Sequence, residues 1–294
     1  EALAGYGKHI QVTLHADGSV TVEDDGRGIP VGLHPEEKAP VVELAFPTRR
    51  SSDLFDKKGG GAYAFSGGLH GVGVSVTNAL SKRLELVVWR EAAAHRMVFA
   101  NGDVLEPLAV VPELNRKKSG TRVRVWPDIS FFDSGVIPLN ELMHLLRSKA
   151  VLMAGVKVTL VNEKTGDTRN WQYEDGLAGY LSEALEGLEL RVPMFQGEQF
   201  ALADHESFAQ GEGAQWVVVW ADEGNVVRES YVNLIPTPAG GTHEAGLREG
   251  LFSAVKGFAE LHSLLPKGVK LLPEDVFARA SFVLSAKVLD PQFQ

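Results

Sequence analysis

Two short stretches carry residue types whose spacing could do chemistry: Gly67-Gly68-Leu69-His70-Gly71-Val72-Gly73 and, upstream, Asp24-Asp25-Gly26-Arg27-Gly28. The first has four glycines among seven residues, so its backbone can approach a ligand closely with its N–H groups free, glycine having no Cβ in the way. Val74, Val76, Ala79 and Leu80 follow at once, which makes the loop the opening of a helix. A helix N-terminus adds orphan N–H donors and partial positive charge, a setting suited to phosphate oxygens. The spacing is neither Gly-x-x-x-x-Gly-Lys-Ser/Thr nor Gly-x-Gly-x-x-Gly, so the two common phosphate loops do not fit. His70 lies inside the loop, placed for loop shape or a phosphate contact rather than for general-base work.

The second stretch offers what a phosphate loop lacks. Thr21-Val22-Glu23-Asp24 reads as a strand ending in an acid, and the chain then turns through Gly26 and Gly28 to Ile29 and Pro30. A carboxylate fixed at a strand end can accept a hydrogen bond from an exocyclic amino group such as that of adenine. Ser119-Gly120-Thr121 starts another alternating strand, to Trp126, and brings a hydroxyl to a second strand end. Taken singly these features are weak. An Asp in a turn commonly satisfies nearby N–H groups, a glycine run can be a flexible turn, and a lone Thr is a β-former. Gly240-Gly241-Thr242-His243 has one His with no partner at ligand spacing, which reads as a structural turn rather than a metal loop.

The elements around these residues follow from periodicity. Ile10, Val12 and Leu14 alternate with polar residues, and Asp17-Gly18-Ser19 turns the chain into Val20 and Val22: a hairpin with one buried face. A second hairpin runs from Leu84–Trp89 to Met97–Phe99. Leu139, Leu142, Met143, Leu146, Ala150 and Met153 fall at helical spacing up to Gly155, and Val156, Val158 and Leu160 resume as strand. Further on, 216–220 and 231–235 read as strands, and 245–262 as a helix with Leu247, Leu251, Val255, Phe258 and Leu261 on one side. Hairpins mixed with helices indicate an α+β sandwich. Periodicity fades between Leu190 and Gly213, which suggests two domains, 1–195 and 196–294.

At 294 residues the chain can bury two cores. It has no Cys, which excludes disulfides, thiolate metal sites and a Cys nucleophile; no apolar run reaches bilayer length, and a cytoplasmic setting is expected. A net charge of −9 argues against a dedicated nucleic-acid surface, since phosphate neutralisation demands a basic one. Arg116-Lys117-Lys118 and Arg147-Ser148-Lys149 read as solvated faces.

Together and in order, Glu1-Ala2-Leu3-Ala4-Gly5, Asp24–Pro30, Ser66–Gly73 and Gly120-Thr121 resemble the ATPase region of type IIA DNA topoisomerase B subunits, in the GHKL superfamily. Within that family Tyr231–Thr237, Gly240–His243 and Asp290-Pro291-Gln292-Phe293 look most like the topoisomerase IV branch, with gyrase the near alternative. The resemblance implies a Bergerat-type α/β sandwich followed by a ribosomal-protein-S5-like transducer domain. It implies ATP with Mg²⁺ as cofactors, held by Asp24, Gly28, Ile29, Pro30, Tyr63, Gly67, Gly68, Leu69, His70, Gly71, Val72, Gly73 and Thr121. It implies an A-type subunit in a heterotetramer, ATP-dependent self-dimerisation, and DNA contacted mainly by other parts of the assembly. Arg27 would pair with Glu1 at the pocket rim, and Arg90 matches the family's rim arginine associated with aminocoumarin inhibitors.

Three departures qualify this. The family's magnesium-binding Asn and general-base Glu would stand one and two helical turns before Glu1, and its transducer lysine just beyond Gln294. No catalytic or metal residue is therefore expected within these residues, and a nucleotide-binding and dimerisation module without turnover is the alternative reading. Where the family has a His- and Gly-Gly-Lys-containing lid, this chain has Phe46–Leu54, which resembles the translation of a sequencing-library adapter; an ordered lid is not expected there.

Overall fold

The computed structural model describes residues 1–34, 38–46, 73–203 and 205–293. The chain packs as two compact units, Glu1–Gly176 and Leu177–Gln294. This division precedes the turn-rich 190–213 stretch, because residues after 176 pair with later strands: Leu190 bridges Ala221, and the Tyr180 hydroxyl donates to Glu229 at 2.5 Å.

The first unit is built on a sheet. Its elements are β1 (His9–Leu14), β2 (Val20–Asp24), α1 (Val41–Ala45), α2 (Gly73–Ala79), β3 (Ser81–Arg90), β4 (Ala93–Ala100), β5 (Asp103–Val110), β6 (Gly120–Pro127), α3 (Leu139–Leu152), β7 (Lys157–Asn162) and β8 (Asp167–Trp171); α4 (Gly176–Ala184) follows and opens the second unit. The strand order is β5-β4-β3-β6-β2-β1-β7-β8, antiparallel throughout except for the β1–β7 pair. Both expected hairpins form. The β1–β2 turn is fixed by Asp17, whose Oδ1 accepts from the Ser19 N–H at 2.9 Å and the Ser19 hydroxyl at 2.6 Å.

Strand alternation sorts this sheet into two faces. Leu84, Leu86 and Val88 of β3, Met97 and Phe99 of β4, and Val123 and Val125 of β6 share one face with Val42 and Phe46, and Ile29 and Val31 pack against them. Phe46 is stacked on Phe99 with ring centroids 5.3 Å apart. So the first residue of the unusual 46–54 stretch is a core residue; 47–54 lie outside the described residues.

In the second unit β9 (Phe195–Phe200), β10 (Gly213–Trp220), β11 (Arg228–Val232), β12 (Ile235–Pro236) and β13 (Ala280–Lys287) make a sheet of order β12-β11-β13-β10-β9, with α5 (Thr242–Leu261) and α6 (Pro273–Phe277). The expected strand over 231–235 is interrupted. Asn233 and Leu234 both take positive φ, 49° and 68°, and reverse the chain into β12 against β11. The Asn233 side chain holds that reversal, donating to the Val288 carbonyl at 2.7 Å and accepting from its N–H at 2.9 Å.

The α5 helix starts earlier than the periodicity suggests, and only part of its apolar side is used. Leu247, Leu251 and Phe252 pack against Val218, Phe282 and Leu284, whereas Val255, Phe258 and Leu261 are exposed.

Candidate functional site

The ends of β2 and β6 meet at one point of the first sheet, where Asp24 pairs across the ladder with Thr121. By alternation both side chains lie on the apolar face, the side of Val123, Val88 and Ile29. The Asp24 carboxylate accepts from the Gly26 N–H at 2.8 Å. A carboxylate has about four lone-pair sites, so acceptor capacity remains. Burial pushes its acidity toward the neutral form and the nearby Glu1 charge adds to this; the Gly26 N–H bond opposes it, and the balance lies above the ordinary aspartate value.

The neighbouring acid does something else. Asp25 Oδ1 accepts from the backbone N–H groups of Lys8 and His9, both at 2.8 Å, and so pins the start of β1 beside the end of β2. Of the acidic pair, one carboxylate is committed to the fold and the other keeps acceptor capacity at the strand end.

The turn that follows lies flat on the sheet. Gly28 has φ +82°, and a Cβ there would meet the Trp89 carbonyl at 2.7 Å and Val88 Cγ1 at 3.0 Å, so only glycine fits. Arg90 Nη1 donates to the Gly28 carbonyl at 2.8 Å, and the Ile29 N–H donates to the Thr121 hydroxyl at 3.3 Å. Thr121 is thus tied to the turn as well as to Asp24. Pro30 is exposed just beyond.

The expected rim pair forms. Glu1 Oε2 accepts from the Arg27 N–H at 3.1 Å and Nε at 3.0 Å, Oε1 accepts from Nη2 at 2.8 Å, and the guanidinium lies 3.7 Å from the Tyr6 ring centroid. Gly73 opens α2, with open space where a Cβ would stand. Tyr63, Gly67, Gly68, Leu69, His70, Gly71 and Val72 lie outside the described residues. Among the described residues no group of three His, Asp or Glu could hold a metal ion. The Gly240–His243 segment opens α5, with His243 Nε2 2.9 Å from the Thr237 hydroxyl, as a structural turn would have it.

Two site features escape sequence reasoning. Val22 stands two residues before Asp24 on the same face yet is 46% exposed, an apolar surface beside the acid. Its only sequence signal is the period of two counted back from Asp24. The second is Arg116. It is no solvated residue: its guanidinium lies 3.5 Å from the Trp89 ring centroid and pairs with Glu23 at 2.6 Å. Nothing in the local pattern announces a contact over so long a sequence separation. The other basic cluster is likewise engaged, with Arg147 donating to the Tyr173 hydroxyl at 2.9 Å and Ser148 buried.

Comparison with known proteins agrees with this architecture. Residues 1–130 match the family of histidine kinase-, DNA gyrase B- and HSP90-like ATPases, and residues 176–294 match the DNA gyrase B family. The chain is 46% identical over 299 residues to the B subunit of DNA topoisomerase 4 from Salmonella typhimurium, with 100% of this chain and 45% of that protein covered. Its counterpart from Pseudomonas aeruginosa is 47% identical over 294 residues, again with 100% and 45% covered. The chain therefore spans less than half the length of these relatives. Among solved structures, the 43K ATPase domain of Thermus thermophilus gyrase B in complex with an aminocoumarin superposes with a TM-score of 0.79 at 34% identity, covering 100% of this chain and 74% of that one. The topoisomerase IV ATP-binding domain of Francisella tularensis in complex with a small-molecule inhibitor gives 0.75 at 34% identity, covering 100% and 75%. The chain belongs to the gyrase B and topoisomerase IV B family of type IIA topoisomerase subunits, in the region that carries their GHKL-type ATPase fold.

Proposed function

We propose that this chain binds ATP at the Asp24–Thr121 end of the first sheet and that, in the whole protein, ATP binding and hydrolysis drive DNA strand passage. The observation that carries the reading is a half-buried carboxylate with spare acceptor capacity, beside an exposed apolar side chain, at a strand end closed by a turn only glycine permits. Asp24 would accept from the adenine amino group. Val22, Ile29 and Pro30 would flank the base, and Gly28 would let the turn approach it. Tyr63 would contact the nucleotide, and the Gly67–Gly73 loop would serve the phosphates. Mg²⁺ would enter as the counter-ion of the triphosphate, with no described residue assigned to it. Chemistry at the γ-phosphate is not assigned to residues of this chain.

At the level of the whole protein we infer a topoisomerase IV-type assembly: an A-type partner subunit, ATP-dependent self-dimerisation, and a cytoplasmic setting with DNA as the macromolecular substrate. The 46–47% identity to topoisomerase IV B subunits supports that branch over gyrase. Among the described residues no helix is long and apolar enough to cross a membrane.

The test is calorimetric titration with a non-hydrolysable ATP analogue. The wild-type chain binds, and Asp24→Asn, which turns a donor toward the adenine amino group, loses about 1–3 kcal/mol. Equal affinity in the two removes Asp24 from the site, and absence of binding in the wild type removes the function.

A further inference from the structure

On the sheet face opposite Asp24, a single side chain ties together the three strands that end at the site. Glu23 precedes Asp24 in β2 and so points the other way. Arg116 Nη1 donates to Glu23 Oε1 at 2.6 Å, its Nε donates to the Lys118 carbonyl at 3.0 Å, and its guanidinium plane lies on Trp89, Cζ 3.5 Å from the ring centroid. Trp89 belongs to β3 and pairs with Gly120 of β6; Glu23 belongs to β2 and pairs with Arg122 of β6. The order β3-β6-β2 means that Arg116 spans β6 and fastens to both of its neighbours.

The fit around it is close. A Cβ on Gly120 would meet Arg116 Nη2 at 2.6 Å and the Asp24 carbonyl at 2.2 Å, so the bare glycine backbone is what lets the guanidinium and β2 both approach. Trp89 is itself held, its Nε1 donating to the Leu114 carbonyl at 2.8 Å, and Arg122 lies over the same ring at 5.2 Å. A guanidinium that stacks and forks is not replaced by an ammonium, which can do neither.

We propose that Arg116 is a positioning residue for base recognition: from the outer face it holds the start of β6 against the end of β2, and so sets the spacing between the Asp24 carboxylate and the Thr121 hydroxyl. The inference rests on the reading of Asp24 and Thr121 as the adenine-facing pair. Its consequence is for selectivity. Adenine presents an amino donor where guanine presents a carbonyl acceptor, so a correctly held Asp24 discriminates between them, and a loosened one discriminates less.

The experiment compares the affinities of non-hydrolysable ATP and GTP analogues for the wild-type chain, Arg116→Ala, Arg116→Lys and Glu23→Gln, alongside thermal denaturation of each. The wild type prefers the ATP analogue. Arg116→Ala lowers the ATP-to-GTP ratio by about fivefold, the scale of one cation–π contact with one part-buried ion pair. Arg116→Lys, which still reaches Glu23 but cannot stack, recovers part of it. Glu23→Gln preserves shape and provides the same reading if Arg116→Ala does not fold. A ratio unchanged in Arg116→Ala, or equal loss for both nucleotides with a lowered Tm, overturns the positioning role while leaving the nucleotide site standing. A wild type with no preference, together with Asp24→Asn of undiminished affinity, overturns the site itself and the inference with it.

Discussion

Over its first half β3 alternates between two environments: Leu84, Leu86 and Val88 are fully buried against Phe46, Met97 and Phe99, while Arg83 and Glu85 lie on the opposite face in ion pairs. That face turns apolar toward the strand's end, where Val87 and Trp89 are buried with Ala94. β6 repeats the pattern, with Thr121, Val123 and Val125 inward and Arg122, Arg124 and Trp126 outward. The outer face is a connected set rather than a scatter of charges. Arg96 bonds Glu85 at 2.9 Å and Glu106 at 2.6 Å; Arg124 bonds Asp17 at 3.0 Å and lies over Trp126; Arg116 bonds Glu23 and lies over Trp89. The inner face gains its free energy from area removed from water, at roughly 25 cal/mol per Å². Isolated pairs on the outer face contribute little each, about 0–1 kcal/mol. What the ionic face supplies is register. Its contacts join neighbouring strands at named atoms, and the proposed site sits where three of those strands end.

The largest effect is expected on the apolar face. Phe99→Ala removes a fully buried ring stacked on Phe46 and should cost about 3–5 kcal/mol in urea denaturation. Arg124→Ala on the other face of the same sheet should cost under about 1 kcal/mol. Comparable losses from the two substitutions would break the division of labour between the faces.

Next in size is the turn that rests on the sheet at the site. Gly28→Ala introduces a Cβ at positive φ and 2.7 Å from the Trp89 carbonyl, a backbone atom that cannot step aside. Strain of this kind costs about 1–3 kcal/mol. Displacing Ile29 also breaks its hydrogen bond to the Thr121 hydroxyl, so affinity for the ATP analogue should fall further than stability does. A variant that folds less well but binds as tightly as the wild type would separate the turn from the site.

Much of this was legible in the sequence because it depends on short-range pattern. The β1–β2 and β3–β4 hairpins, α3 and α5 follow from alternation, from Asp17-Gly18-Ser19 and from helical spacing. So do the places of Asp24 and Thr121 at two strand ends, whereas bringing them together takes the pairing of β2 with β6. Other features depend on contacts between distant residues. Asp24 and Asp25 are indistinguishable as a dipeptide; only the approach of the Lys8–His9 backbone commits Asp25 to the fold. Arg116 reads as one of three basic residues until β3 and β2 bring Trp89 and Glu23 to it. The 231–235 run has strand composition throughout, and the break at Asn233 becomes visible only when its side chain meets Val288. In α5 helical periodicity places Val255, Phe258 and Leu261 on one side, but burial depends on what packs there, and these three stay exposed.

The smallest effect sharpens the comparison most, because it isolates charge from packing. Burial disfavours the Glu85 carboxylate, but the Arg96 hydrogen bond and the charges of Arg96, Arg122 and Arg83 outweigh that and hold it below the ordinary glutamate value. A carboxyl with a depressed folded-state value stabilises the fold above its unfolded value and loses that contribution as pH falls through the folded one. Glu85→Gln keeps the shape and removes the titration, so at neutral pH it should cost roughly 0.2–1 kcal/mol. The gap between wild type and Glu85→Gln should then narrow as pH drops through and below the ordinary glutamate range, where the wild-type side chain is protonated too. Asp17 and Glu163 have depressed values of the same sign, from hydrogen bonds to Ser19 and to the Ala16 N–H, so their contributions also fade in acid. Asp24 acts in the opposite direction, since burial raises its value and protonation there favours the folded state. These contributions cancel when the two proteins are compared at each pH. Urea midpoints measured across the range decide the matter: a gap that stays constant from neutral to acid pH would mean that Glu85 stabilises through packing, and that the outer face is not held by charge at this position.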